Sequence, residues 1–499
     1  MKTTVKAIIC AVATFFLATS CTEFLTEHPE NFLSPDDYYH NQNQMQSGVN
    51  GMYGNLTNIF NGLVAPNHTP YLLYELVTGY HDRTHAFNSQ TLGLTLPILE
   101  DNELLNFVWG YYSGINNCNS VIAGIENSDA EVAEKVKSKF LGEAYTLRAY
   151  YYFQLVRTFG PVPLQLEPTT GTANIVMEPS AEADVYAQIV SDLKHAGELF
   201  DAAGGTWHAG DGHLDKGAAK GILAKVYLTM AGYPVKDSSC YKLAYDTANE
   251  IVNSGKFSLL GSVKDLRDQA YENSSEYLFS IQFEAENRGS GVHTCLLPYP
   301  ISNNISQNNE MGGAIVPLKQ FVATFDENDL RAQESGFFFN SYPALDNSGD
   351  VDFGRPFTCK FFDAEAAQSG KSGEDFPLLR YADVLLILAE AAMNGAGQTS
   401  DAAAINAYYQ VRHRAVPTEA KPSQITFDQV FKERTWELCF EAQSWFDITR
   451  THKCLDIIGN KVVDAIGFKT IMHEQAFSEK DMTFPYPLNE VRLNSNLVN

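Results

Sequence analysis

Apolar residues recur at i, i+3, i+4 and i+7 in seven long segments, and this periodicity restricts the fold more than any other feature of the chain. Only a helix brings such positions onto one stripe. In residues 133–159, Phe140, Ala144, Leu147, Tyr151 and Leu155 share a face, and the segment ends at Gly160, Pro161 and Pro163, which cannot continue a helix. The same spacing predicts helices over 181–200, 216–232, 240–255, 378–394, 399–415 and 427–450. The chain is therefore expected to be mainly α.

These helices come in pairs. Residues 216–255 hold two joined by the stretch YPVKDSS, with Gly217, Ala218, Ala219, Gly221 and Ala224 permitting close approach; residues 378–415 repeat the plan through GAGQ. Helix–turn–helix units with small and aromatic interface residues follow the tetratricopeptide plan, in which each unit buries its apolar face against the next. No strict period survives, so the expected architecture is an α-solenoid of about four divergent pairs, interrupted by long irregular insertions that carry short strands. Residues 60–110 and 256–376 form these insertions, with EYLFSIQF as a strand-like run. Loops of that length are uncommon unless they bind something or are disordered, and their aromatic content argues against disorder.

The N-terminus bounds the cellular context. Lys2 and Lys6 precede an apolar run from Ala7 to Leu17, about half of the roughly 20 residues that span a bilayer. This is the pattern of a secretory signal, and Leu17-Ala18-Thr19-Ser20-Cys21 resembles a bacterial lipobox, with acylated Cys21 as the first mature residue. Three regions are expected: 1–20 as a lipoprotein signal peptide, and 21–215 and 216–499 as N- and C-terminal regions of one compact unit. The formal net charge of −25 repels phosphate backbones, so nucleic-acid binding is not expected. The six cysteines beyond Cys21 are scattered without C-x-x-C spacing, which predicts buried thiols rather than zinc ligands. No cofactor is expected.

The chain resembles the SusD/RagB family of outer-membrane nutrient-binding lipoproteins. The resemblance runs from the lipobox to the C-terminus and is carried by VWGYYSGINNCNSVI (108–122), GEAYTLRAYYYFQLVRTFGPVPL (142–164), PLLRYADVLLILAEA (377–391), VRHRA (411–415) and ERTWELCFEAQSWFDITR (433–450). Gln443 and Ser444 depart from it, standing where a basic residue usually precedes the aromatic-Asp pair, at the expected cost of one ion pair. The resemblance implies a non-catalytic, lipid-anchored surface protein that captures a glycan and delivers it to a SusC-like TonB-dependent outer-membrane transporter, over which it closes as a lid. Peptide capture, as in the RagB branch, is the rival within binding proteins, and a helical glycoside hydrolase is the rival among enzymes.

The hydrolase reading would draw on Glu433, Glu437 and Glu441, but two catalytic carboxyls must face each other about 5–9 Å apart across a cleft. Three at i, i+4 spacing beside Arg434 and Arg450 read as a structural charge network, as do Arg380, Asp383, Arg412 and Arg414. His208 and His213 lack a third ligand, and DNSGDVDFG (346–354) lacks the bidentate Glu of a calcium loop. Sugar rings have apolar C–H faces edged by hydroxyls, so their sites need exposed aromatics beside polar side chains. Loop residues of that kind are Tyr80, His81, Arg83 and Asn88; Trp207; Tyr299, Asn303 and Asn304; and Phe338 and Tyr342. Trp109, Trp436 and Trp445 fall inside helix signatures and are expected in the core.

Overall fold

The computed structural model describes residues 38–63, 69–84, 96–169, 176–307 and 313–499. The first helix, α1 (Tyr111–Glu126), lies in the stretch that carries the family resemblance; after it helices form where the apolar stripe predicts them, α2 spanning Glu134–Phe159, α3 Glu182–Ala202, α4 Lys216–Ala231 and α5 Ser239–Ser254. After the long insertion come α6 (Tyr381–Ala391), α7 (Ala402–Ala415), α8 (Phe427–Glu437) and α9 (Ser444–Thr451). From α1 to α5 each helix packs on the next, and α6 packs on α5, so the solenoid closes over the insertion as though it were absent. The pairs α2/α3, α4/α5 and α6/α7 form its body, with α1 ahead and α8 behind.

Local chemistry sets the helix ends. Asp215 caps α4 by accepting from the Ala218 N–H (3.0 Å), Asp401 caps α7 by accepting from the Ala404 N–H (2.9 Å), and Thr426 with Gln429 forms a capping box on α8. Gly160, at φ 75°, turns the chain out of α2. Trp109, Trp436 and Trp445 are core residues, and the six described cysteines are buried. No helix of the described residues is long and apolar enough to cross a membrane.

Two helix boundaries differ from expectation. Residues 376–380 are a strand, β6 (Phe376–Arg380), paired antiparallel with β2 (Tyr277–Ile281), and α6 starts only at Tyr381. A short apolar run buried on both sides has no periodicity to separate strand from helix, and pairing with β2 decided it. The expected helix over 427–450 is broken into α8 and α9. Between them Phe440 (φ 63°) and Ala442 (φ 54°) are left-handed, and tertiary partners replace the lost helical hydrogen bonds: Tyr71 Oη donates to the Phe440 carbonyl (2.8 Å), the Ala442 N–H to Glu75 (2.7 Å), and Lys360 Nζ to the Glu437 and Cys439 carbonyls (2.8 and 2.9 Å).

The insertions are more ordered than loops. A helix over Pro70–Leu76 is buried along its whole length. Strand β1 (His81–Asp82) pairs with β3 (Val316–Pro317), and β4 (Phe338–Pro343) with β5 (Asp350–Thr358) as a hairpin. Under this layer lies a second, small core of Leu297, Ile305, Val316, Phe339, Phe353, Phe357 and Phe362.

Candidate functional site

The acidic stripe of α8 is occupied by arginines. Arg331 contacts Asp329 (2.7 Å), Glu433 (2.8 Å) and Glu437 (3.0 Å); Arg380 contacts Glu276 (2.6 Å), Glu437 (3.0 Å) and Glu441 (2.6 Å); and Arg414 reaches Glu276 and Glu437, both at 2.6 Å. All of these side chains are almost fully enclosed. Burial pushes the Glu437 pKa up, but Arg414, Arg380 and Arg331 outweigh it and hold the group at about 2. A carboxylate so held neither gives nor takes a proton near neutrality. Asp383 joins Lys225 (2.8 Å) to Arg434 (2.8 Å), and Arg450 joins Glu390 (2.5 Å) to Asp447 (2.7 Å), tying α4, α6, α8 and α9 together. Lys225 also meets the side chain of Gln443, so a cation from α4 stands where the neighbouring basic residue was expected.

The histidines are engaged singly. His213 Nδ1 donates to Glu143 (2.8 Å), while His208 Nε2 lies 3.1 Å from the Asn273 carbonyl. Among the described residues no group of His, Cys, Asp and Glu side chains is arranged to hold a metal.

Three of the residues expected as ligand platforms are core residues. Tyr80 is 1% exposed, stacked on Phe321 at 5.5 Å, with its hydroxyl accepting from the Leu455 N–H (2.8 Å). His81, also 1% exposed, lies 3.1 Å from Glu75 and packs on Phe440 at 4.4 Å. Phe338, 1% exposed, packs edge-on to Phe325 at 5.5 Å. Aromatic content in a loop-rich segment does not distinguish a platform from the filling of a core. Tyr80 and Phe338 belong to the main core, which extends from the helices into the insertion, and His81 packs on Phe440 of the same core.

The others divide between two places. Arg83, half-buried, follows β1 directly; the next residue, Thr84, donates its N–H to the Gly313 carbonyl (2.9 Å). Arg355 on β5 lies 3.8 Å from Asp82 and donates to the Pro317 carbonyl (2.9 Å), which locks hairpin and ribbon together. Tyr342 on β4 is half-buried against Phe362 at 4.6 Å, and Leu345 just after it donates its N–H to the Asn304 carbonyl (2.8 Å). Half-buried Tyr299 and exposed Asn304 flank the turn 301–304. Tyr342, which packs on the second core, and Asn304 therefore lie side by side at its edge. Trp207 stands apart, in the loop between α3 and α4, with Lys216 Nζ 4.8 Å over its ring. Cys21, Asn88 and the Asn303 side chain lie outside the described residues. Arg355, which sequence reasoning missed, carries no signal beyond its place in a polar loop.

Comparison with known proteins places this geometry in context. A family described as "SusD family" matches residues 275–499, and one described as "Starch-binding associating with outer membrane" matches residues 26–228. A SusD-like protein of Bacteroides ovatus is 28% identical over 376 residues, covering 71% of this chain and 67% of that protein. The crystal structure of a SusD superfamily protein from Parabacteroides distasonis superposes with a TM-score of 0.81 at 27% identity, over 92% of this chain and 98% of that one. Surface glycan-binding protein A from Bacteroides thetaiotaomicron, in complex with laminarihexaose, has the same fold: TM-score 0.73 at 19% identity, over 92% and 98% of the two chains.

Proposed function

Because the chain belongs to the SusD/RagB family, we propose that it is a surface-exposed, lipid-anchored protein that binds a glycan and passes it to a SusC-like TonB-dependent transporter. One observation carries the location of the ligand: the insertions build a core of their own, on which the half-buried ring of Tyr342 packs beside exposed Asn304, and to this place we assign half-buried Tyr299, just before the turn 301–304, and Arg83. A ring anchored from beneath, as Tyr342 is by Phe362, presents its edge and face without further ordering cost, which is what stacking against a sugar requires. A protein of the same fold is known in complex with laminarihexaose, which supports a glycan as the ligand class. Acylation of Cys21 supplies the anchor, and several acyl chains at about 0.8 kcal/mol per buried CH2 hold a soluble body at a membrane. The role is binding rather than catalysis, since the carboxylates that suggested hydrolysis are arginine-bound.

Affinity electrophoresis of the chain from Thr22 onward, through gels carrying a panel of soluble polysaccharides, tests this. Retardation by one of them is expected, weakened about fivefold or more by Tyr299→Ala or Tyr342→Ala, as loss of a stacking ring worth roughly 1 kcal/mol or more predicts. No retardation, with capture of mixed peptides instead, would replace the glycan by a peptide.

A further inference from the structure

Away from the proposed glycan face, a cleft of about 180 Å3 opens between the turn that begins at Tyr53, the α3–α4 loop and the end of β2. Drug-sized sites occupy about 300–1,000 Å3, so this cleft has room for one small ring and not for a chain. Its apolar wall is the Tyr53 ring with Leu56 and Ile281, and Gln282 and Arg288 stand at its polar side. Gly212, at φ 80°, comes so close to Gln282 that a Cβ there would lie 2.5 Å from Gln282 Oε1, so the loop closes down on the amide only because the residue is glycine.

The charges in the cleft are unusual for a chain with net charge −25. The Arg288 guanidinium donates to the Gly54 carbonyl (3.2 Å), and among the described residues no carboxylate pairs with it. The acid of the lining, Asp211, is already engaged, accepting from the His213 N–H (3.1 Å) and lying 3.8 Å from Lys139. Behind the wall, buried Glu143 accepts from Tyr53 Oη (2.5 Å) and His213 Nδ1 (2.8 Å), which fixes both rings where they line the cleft. The Glu143 hydrogen bond also raises the pKa of His213. Both carboxylates about the cleft are therefore already engaged, Asp211 beside Lys139 and Glu143 with His213, while Arg288 has no carboxylate partner among the described residues.

We propose that this cleft binds a single sugar ring bearing a carboxylate, with Arg288 taking the carboxylate, the Tyr53–Leu56–Ile281 wall taking the C–H face and Gln282 a hydroxyl. That the ring is a sugar rests on the reading above; that it is anionic rests on Arg288 alone. The planar guanidinium matches a carboxylate bidentately, and an unpaired one held beside an apolar wall is a site for that group.

Isothermal titration of the chain from Thr22 at low salt with galacturonate, galactose, galactose 6-sulfate and benzoate tests the assignment. Galacturonate is expected to bind at least about tenfold more tightly than galactose, and Arg288→Gln to remove that advantage, as loss of a charge-assisted hydrogen bond predicts. Gln282→Ala should weaken both sugars alike. Equal affinities for galacturonate and galactose, or an unchanged preference in Arg288→Gln, would overturn the proposal. So would tighter binding of the sulfate ester, which would make the site one for sulfated rings, or binding of benzoate in place of galacturonate, which would keep the anion site but remove the sugar. Arg288→Gln should leave polysaccharide retardation intact, so a failure here is separable from failure of the glycan face.

Discussion

Glu437 meets Arg331, Arg380 and Arg414 at once and is enclosed with all three. Replacing one member of a buried ionic cluster strands its partners, so Glu437→Gln should cost roughly 3–5 kcal/mol in urea unfolding. A loss below about 1 kcal/mol would show that solvent screens the network. The pH dependence has a definite sign. The folded pKa of about 2 lies below the unfolded glutamate value of about 4.3, so the stabilisation is complete above about 4.3 and is lost as pH falls towards 2. Asp375 behaves oppositely. Its Oδ1 accepts from the Phe283 N–H (2.8 Å), its Oδ2 is buried without a partner, and burial, with Glu272 adding to it, raises the pKa to about 7. The native state then holds a proton the unfolded chain gives up, so this residue lowers stability as pH rises from about 4 to 7. Asp375→Asn should therefore be more stable than the parent at pH 8, on the order of 1–2 kcal/mol, with the gain gone by pH 4 in paired thermal melts.

At the scale of elements, the ends of the helices matter more than their middles. Gly232 closes α4 where the chain passes the end of α9: Tyr233 donates its N–H to the Arg450 carbonyl (2.7 Å), and a Cβ on Gly232 would fall 2.2 Å from that oxygen. Backbone cannot swing aside as a side-chain tip can. Gly232→Ala is expected to cost about 1–3 kcal/mol, read from the denaturant midpoint. The stripes that predicted α2 to α5 and α7 are locally encoded, each bounded by a cap or a glycine visible in the sequence. The break between α8 and α9 is not. Its left-handed residues, Phe440 and Ala442, are held by Tyr71, Glu75 and Lys360, which are remote in sequence, and no local preference announces them.

Among the described residues there are two cores of unequal size, one built around the stacked helices and one of nine buried residues and their neighbours within the insertion. Phe339 sits in the smaller core, against Phe353 at 4.9 Å and Phe362 at 5.2 Å. Phe339→Ala should cost roughly 3–4 kcal/mol locally and hasten amide exchange through β4 and β5, while α2 keeps its protection. Acceleration throughout would mean that the two cores unfold as one. The helical class, the paired stack, the buried tryptophans and the structural role of the α8 glutamates were legible in the amino-acid order, because helix periodicity, capping and i, i+4 charge spacing act over a few residues. Burial within the insertions was not legible. Whether Tyr80, His81 and Phe338 fill the main core while Tyr342 stays at the edge of the second depends on which strands pair across more than 200 residues, as β1 does with β3. Likewise the cleft at Arg288 joins residues near 53, 212 and 288 that share no local pattern, and long-range packing alone brings them together.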